Sequence, residues 1–224
     1  MTTEIKNKIV WCNVPSGGGA TFPFYDSFTY SDGDLATVSG GMWVIPSGSD
    51  GCIVSSGTAA GAVKGNNYEN IINAETGSIE QYGCFMLSQH SFTGDQYIGM
   101  YFRYIDDAND SYLVQISGSG SLYWIDVKAW SVIESGLITY DEGHKYGITV
   151  HGTGNNTEVR VWLDPTANTP ISYDHWDVAD SPTLLLTNNP AHPADTGKKI
   201  GIFIYEGDPA PNTNIDNVYA GVCP

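Results

Sequence analysis

The stretch YIGMYFRYIDDANDSYLVQIS, Tyr97 to Ser117, alternates, stalls on the polar run DDAND, and alternates again. Successive side chains of an extended strand point to opposite faces. Ile98, Met100, Phe102 and Tyr104 should therefore share one face, and Tyr97, Gly99, Tyr101, Arg103 and Ile105 the other. After the stall, Tyr112, Val114 and Ile116 share one face, with Leu113 and Gln115 opposite. Asp and Asn tolerate turn conformations and bond their own backbone. The segment reads as a hairpin inside an antiparallel sheet. Both faces of its first run are apolar or aromatic, so one covers a core and the other is partly covered or lines a groove.

The rest of the chain repeats the theme. TEVRVWLDP sets Val159, Val161 and Leu163 against Glu158, Arg160 and Trp162. GCFMLSQ, SLYWIDVKAW, HKYGITVHG and KKIGIFIYEG are further runs bounded by turn residues, and the 26 Gly and 11 Pro follow no fixed period. Turn signals recur at about the 8–12 residue spacing of a sandwich. A helical period is not evident over long windows, although a short helix near Asn67–Ala74 fits the pattern. The expected fold is all-β, an antiparallel β-sandwich. Residues 1–23 form a separate unit: the β-like run NKIVWCNV followed by the Gly-rich hinge PSGGGATFP. Its apolar tip, Ile9, Val10 and Trp11, should either pack back on residues 24–224 or dock on another chain.

Charge narrows the partners. Net charge is −16 with nine Lys plus Arg among 224 residues. Such a chain repels nucleic-acid phosphates and anionic membrane surfaces. No apolar run reaches the length of a membrane span, and MTTEIKNKIVWC lacks the apolar stretch of a secretory leader. Cys12, Cys52, Cys84 and Cys223 show no CxxC spacing, which disfavours zinc and favours free thiols. If a disulfide forms, Cys12 with Cys223 is the expected pair, because chain ends often meet in sandwiches.

FYDSFTYSDGDL…GGMW, Phe24 to Trp43, resembles the opening of concanavalin A-like (laminin-G-like) jelly rolls. Tyr97 to Ile116 resembles their central hairpin, HKYGITVHGTGNNTEVRVWLD the next one, and KKIGIFIYEG…IDNVYAG their closing strands. The resemblance implies a jelly roll, a fold that serves lectins, enzymes and virion proteins alike. Its β-glucan hydrolases carry a Glu-x-Asp-x-x-Glu strand, which is missing here. Its alginate-lyase-like members use Gln-x-His, Arg-rich and Lys/Tyr strands. This chain offers Gln115-Ile116-Ser117, only Arg103 and Arg160, and a loose echo in Lys199 and Tyr205. His90, His144, His151, His175 and His192 are scattered without metal spacing, and no GxSxG occurs.

The expectation is therefore a non-enzymatic protein: a virion structural subunit, capsid decoration or tail accessory, held through its N-terminal arm. It would stand on a virion surface as a homo-oligomer, with a glycan-contacting outer face. A freestanding extracellular lectin-like module is the alternative, and a polysaccharide lyase or glycoside hydrolase the second. Sugar recognition needs aromatic faces with amide and carboxylate partners. Tyr173, His175, Trp176 and Asp177 in YDHWD, with Trp130, are the candidate residues, and Trp124 is a further one. Calcium, which such jelly rolls often hold, would be ligated by Asp26 and Asp216 if the first and last strands meet.

Overall fold

The computed structural model describes residues 22–63, 66–89, 96–105, 110–176, 181–187, 196–206 and 213–224. Among these the strands are β1 (Phe24–Asp26), β2 (Gly33–Asp34), β3 (Trp43–Val44), β4 (Ile53–Ser55), β5 (Thr58–Ala60), β6 (Asn67–Ile72), β7 (Gln81–Gln89) and β8 (Tyr97–Ile105). They continue with β9 (Asp110–Ser117), β10 (Ser121–Asp126), β11 (Ser131–Leu137), β12 (Lys145–His151), β13 (Glu158–Leu163), β14 (Leu184–Thr187), β15 (Lys199–Tyr205) and β16 (Asn214–Val222). One sheet runs β14-β13-β12-β7-β16-β5-β4-β2, with β1 also on β16, and the other runs β11-β10-β9-β8-β15-β6-β3. First and last strands meet: Phe24, Tyr25 and Asp26 lie opposite Ala220, Tyr219 and Val218.

The two expected hairpins form, and residues expected to share a face pair across the first of them. Ile98 faces Ile116, Met100 faces Val114 and Phe102 faces Tyr112. Val150 faces Val159, and Ile148 faces Val161. The inward sides of these strands fill the space between the sheets with Phe85, Met100, Phe102, Tyr112, Trp124 and Val161. Burying each such side chain stabilises the fold by about 1.5–3 kcal/mol. Trp124 is therefore a core residue, fully buried and edge-on to Tyr112 at 5.2 Å, and is not available to a ligand. Its neighbours Tyr123 and Ile125 point to the other face, as alternation requires.

Alternation fails within the first hairpin at Arg103. Arg103 has φ of 54°, and the β8–β9 register shifts between Phe102 and Ile105. This is a bulge, in which one residue is added and the faces exchange. Arg103 consequently turns inward, fully buried. It donates from Nε to the Ile79 carbonyl at 3.0 Å and from Nη2 to the Gly152 carbonyl at 2.6 Å, and its guanidinium lies 5.6 Å from the Tyr112 ring centre. Tyr104, expected beside Phe102, lies instead on the outer face, 6.0 Å from Tyr101.

The helix expected near Asn67–Ala74 is instead β6, held between β15 and β3. Its short apolar run does not by itself distinguish strand from helix, and pairing on both edges decides. Asn70, mid-strand, accepts the Cys52 N–H at 2.7 Å through its side chain. The α-helix that does form, α1 (Leu35–Val38), is one turn long, with Asp34 accepting the Thr37 N–H at 3.0 Å.

Cys52, Cys84 and Cys223 are buried free thiols. Cys223 donates to the Gln81 carbonyl at 3.1 Å. Cys12 and the docking residues Ile9, Val10 and Trp11 lie outside the described residues.

Candidate functional site

The outward side of the seven-stranded sheet carries a cluster built from Ile71, Tyr101, Tyr104, Leu113, Ile125 and Phe203. Beside it opens a groove of about 530 Å³ lined by Asn67, Tyr97, Gln115, Tyr123, Ile125, Trp130, Val132, Phe203 and Tyr205. Strand register explains why residues so far apart in sequence assemble. Asn67 lies opposite Tyr205, and Tyr205 opposite Tyr97, forming one row across β6, β15 and β8. Phe203 lies opposite Gly99, Gly99 opposite Gln115, and Gln115 opposite Tyr123, forming the next. Residues of one row share a face, so the two rows place aromatic rings either side of an amide.

Gly99 is the low point of the second row. A Cβ there would collide with the Val114 carbonyl oxygen, so only glycine fits this close strand approach. Tyr97 is 5.8 Å from Tyr205 and 6.4 Å from Tyr123 by ring centres, both pairs tilted. Gln115 is buried, and its Oε1 has no hydrogen-bond donor.

Trp130 closes one end of the groove. It sits at the last position of the β10–β11 turn with φ of 48° and is 55% exposed. A left-handed conformation costs a bulky L-residue about 1–2 kcal/mol. An exposed indole gains little packing in return. Strain and exposure at one residue are the pattern of a functional position.

Glu69 continues the second row beyond Phe203, on the same outer face and outside the groove lining. Its two oxygens accept from Tyr101 Oη and Ser49 Oγ, each at 2.8 Å. Burial, reinforced by Glu69, raises the Tyr101 phenol well above its ordinary value and keeps it a neutral donor. Among the described lining residues the groove contains no Asp, Glu, His, Lys or Arg. A retaining glycosidase would need two carboxyl groups about 5–5.5 Å apart, and these residues do not supply them. Gln115 and Tyr205 both line the groove, but Lys199 stands at the far end of β15, about 20 Å away at strand rise. Arg103 is buried over the core residue Tyr112, and Arg160 lies in the opposite sheet. The lyase-like set is not brought together.

The YDHWD candidates lie elsewhere. Trp176 is fully buried on the outer side of the nine-stranded sheet, edge-on to Tyr82 at 6.1 Å and 5.4 Å from Trp162. It lies over Gly147, where a Cβ would come within 2.9 Å of its ring, and its Nε1 donates to the Ala167 carbonyl at 2.9 Å. Both ring faces are thus used in cohesion, which corrects its expected role as a sugar platform. Tyr173 is stacked on His151 at 3.7 Å and covered by Arg160 at 4.8 Å. His175 is exposed and pairs with Asp174 at 3.0 Å. Hydrogen bonds from His175 and Ser172 lower the Asp174 carboxyl to about 2. Asp177 falls outside the described residues. Of the expected residues, Trp130 alone joins the groove. Tyr173 and Trp176 instead hold their loop onto the opposite layer.

Asp26 lies opposite Val218, two residues along β16 from Asp216, and the charge of Asp216 adds a small rise to the Asp26 carboxyl. Burial is the main cause of the rise at each carboxyl. The Asp26 oxygens are already taken: Oδ1 accepts from the Phe28 N–H at 2.8 Å, and Oδ2 from Tyr30 Oη at 3.0 Å and Trp43 Nε1 at 2.6 Å. Three donors already point at Asp26, and two carboxyl groups fall short of the six to eight oxygens that calcium takes. No cluster of three or more His, Cys, Asp or Glu able to hold a metal occurs among the described residues.

Comparison with protein-family models finds no match, and comparison with curated proteins finds none either. Solved structures do match. The exoplasmic/lumenal domain of VIP36, in a metal-free form, superposes with a TM-score of 0.57 at 10% identity, covering 91% of this chain and 93% of that one. A β-1,3-glucanase from Mycobacterium marinum gives 0.56 at 12% identity, with 88% and 97% covered. The Emp46p carbohydrate recognition domain, in a potassium-bound form, gives 0.55 at 8% identity, with 88% and 94% covered. At such identities the likeness is one of fold. The fold is the concanavalin A-like jelly roll, as the motifs at Phe24–Trp43 and Tyr97–Ile116 imply.

Proposed function

We propose that this chain is a non-catalytic carbohydrate-binding domain that holds a glycan in the groove on the outer face of the seven-stranded sheet. The observation that carries the reading is the lining of that groove. Tyr97, Tyr123, Trp130, Phe203 and Tyr205 provide aromatic faces, Asn67 and Gln115 provide amides, and no acid or base stands among them. Flat rings cover the C–H faces of a sugar while amides meet its hydroxyls. Proteins of the same fold include a VIP36 domain in a Ca2+/Man3GlcNAc-bound form, superposing at a TM-score of 0.52. The same fold also serves glucanases, so binding and turnover are measured together.

The test is a glycan array on the full chain, paired with reducing-end release from a polysaccharide panel. Binding without product is expected. Binding lost in the double variant Tyr123→Ala, Tyr205→Ala places it in the groove. Release of sugar would refute the non-catalytic reading. Attachment to a larger assembly, on a virion surface or another extracellular one, through Ile9, Val10 and Trp11 belongs to the same proposal. Deleting residues 1–23 should remove assembly and spare glycan binding.

A further inference from the structure

The groove's charge is as informative as its rings. The chain carries −16 overall, with nine cationic side chains in 224 residues. None of these cations is among the described residues of the groove lining. A uronate or sulfate entering it would leave water without a cationic partner and would meet a negative surrounding field. Recognition of such groups rests on charge-assisted bonds from Arg or Lys. An uncharged sugar has no such requirement, because its C–H faces and hydroxyls match rings and amides.

Gln115 adds a second observation. It lies between Gly99 and Tyr123 in its row, 7% exposed, with Oε1 lacking a donor. A buried acceptor without a partner costs about 1–3 kcal/mol. A half-turn about χ3 exchanges the oxygen and nitrogen of the amide and presents either one to the groove, since that torsion is broad and two-fold. With the oxygen turned toward the groove, an arriving hydroxyl donates to it. Resting on the binding reading above, we infer that the groove takes an uncharged glycan and that Gln115 selects it by bonding one of its hydroxyls.

Affinity electrophoresis of the full chain in gels containing soluble β-glucan, mannan or fructan, against alginate, polygalacturonate or chondroitin sulfate, tests this. Retardation by a neutral polymer and by none of the anionic ones is expected. Its strength should change by less than about twofold between low and high salt, since no charge pair is screened. Retardation by an anionic polymer overturns the inference and leaves the binding reading standing. Retardation by none overturns both. Gln115→Leu removes the amide while filling its space, so stability should hold or rise while affinity falls about three- to tenfold. Unchanged affinity with intact folding would remove Gln115 from recognition.

Discussion

Replacing Asp26 by Ala isolates one buried carboxyl. Asp26 is 5% exposed and ties β1 to the Trp43 indole, which packs edge-on against Phe24 at 5.2 Å and against Phe28 at 6.1 Å. The substitution strands two buried donors, the Phe28 N–H and Trp43 Nε1, and one part-buried donor, Tyr30 Oη, which can turn to water. Each stranded buried donor costs about 1–3 kcal/mol, and relief of the carboxylate's own desolvation offsets part of the sum. A net loss of about 3 kcal/mol is expected, and in a chain of this length that lowers Tm by about 6–12 °C. Scanning calorimetry or thermal circular dichroism measures it. Asp26→Asn keeps one acceptor and should lose about half as much.

Burial raises the folded carboxyl above 3.8, so the folded state binds the proton more tightly than the unfolded chain. Its contribution to stability is present below 3.8 and is lost as pH rises through the raised folded value. In Asp26→Asn that loss disappears. A fall in Tm below about 2 °C for Asp26→Ala would refute this account. So would a calcium-dependent rise in Tm in the native chain that the variant lacks, since it would show an ion where three donors now point.

Trp130→Gly should weaken glycan binding about tenfold or more, as truncating an interface Trp commonly does. It should also leave stability unchanged or raise it by up to about 1 kcal/mol, because glycine relieves the left-handed conformation at that turn. A drop in stability with unaltered binding would return Trp130 to a structural role. Burial pushes the Cys223 thiol up to about 12 and the Cys52 thiol higher still. Iodoacetamide at pH 8 should therefore spare both in the folded protein and modify both after denaturation. Mass spectrometry reads the difference, and rapid labelling of the folded chain would contradict the burial.

The sequence by itself determined the sandwich. Alternation in Tyr97–Ser117 and Thr157–Pro165, broken by turn residues, is covalent information: side-chain direction in a strand follows from backbone geometry before any partner exists. It also placed Tyr123 and Ile125 opposite Trp124, while the meeting of the first and last strands is what the resemblance to jelly rolls implies. The tertiary structure alone decided the rest. The bulge at Arg103 exchanged faces because a buried guanidinium had carbonyl partners at Ile79 and Gly152, a match between distant segments that no local pattern carries. Asn67–Ile72 became a strand because both its edges found partners. YDHWD looked like a binding loop by composition, yet Gly147 left room for Trp176 to lie flat on the sheet. The groove itself takes its lining from β6, β8, β9, β10 and β15, with Trp130 and Val132 at the β10–β11 turn and in β11. Its two rows exist only in inter-strand register, and register is fixed by which edges pair and not by the order of residues along any one strand.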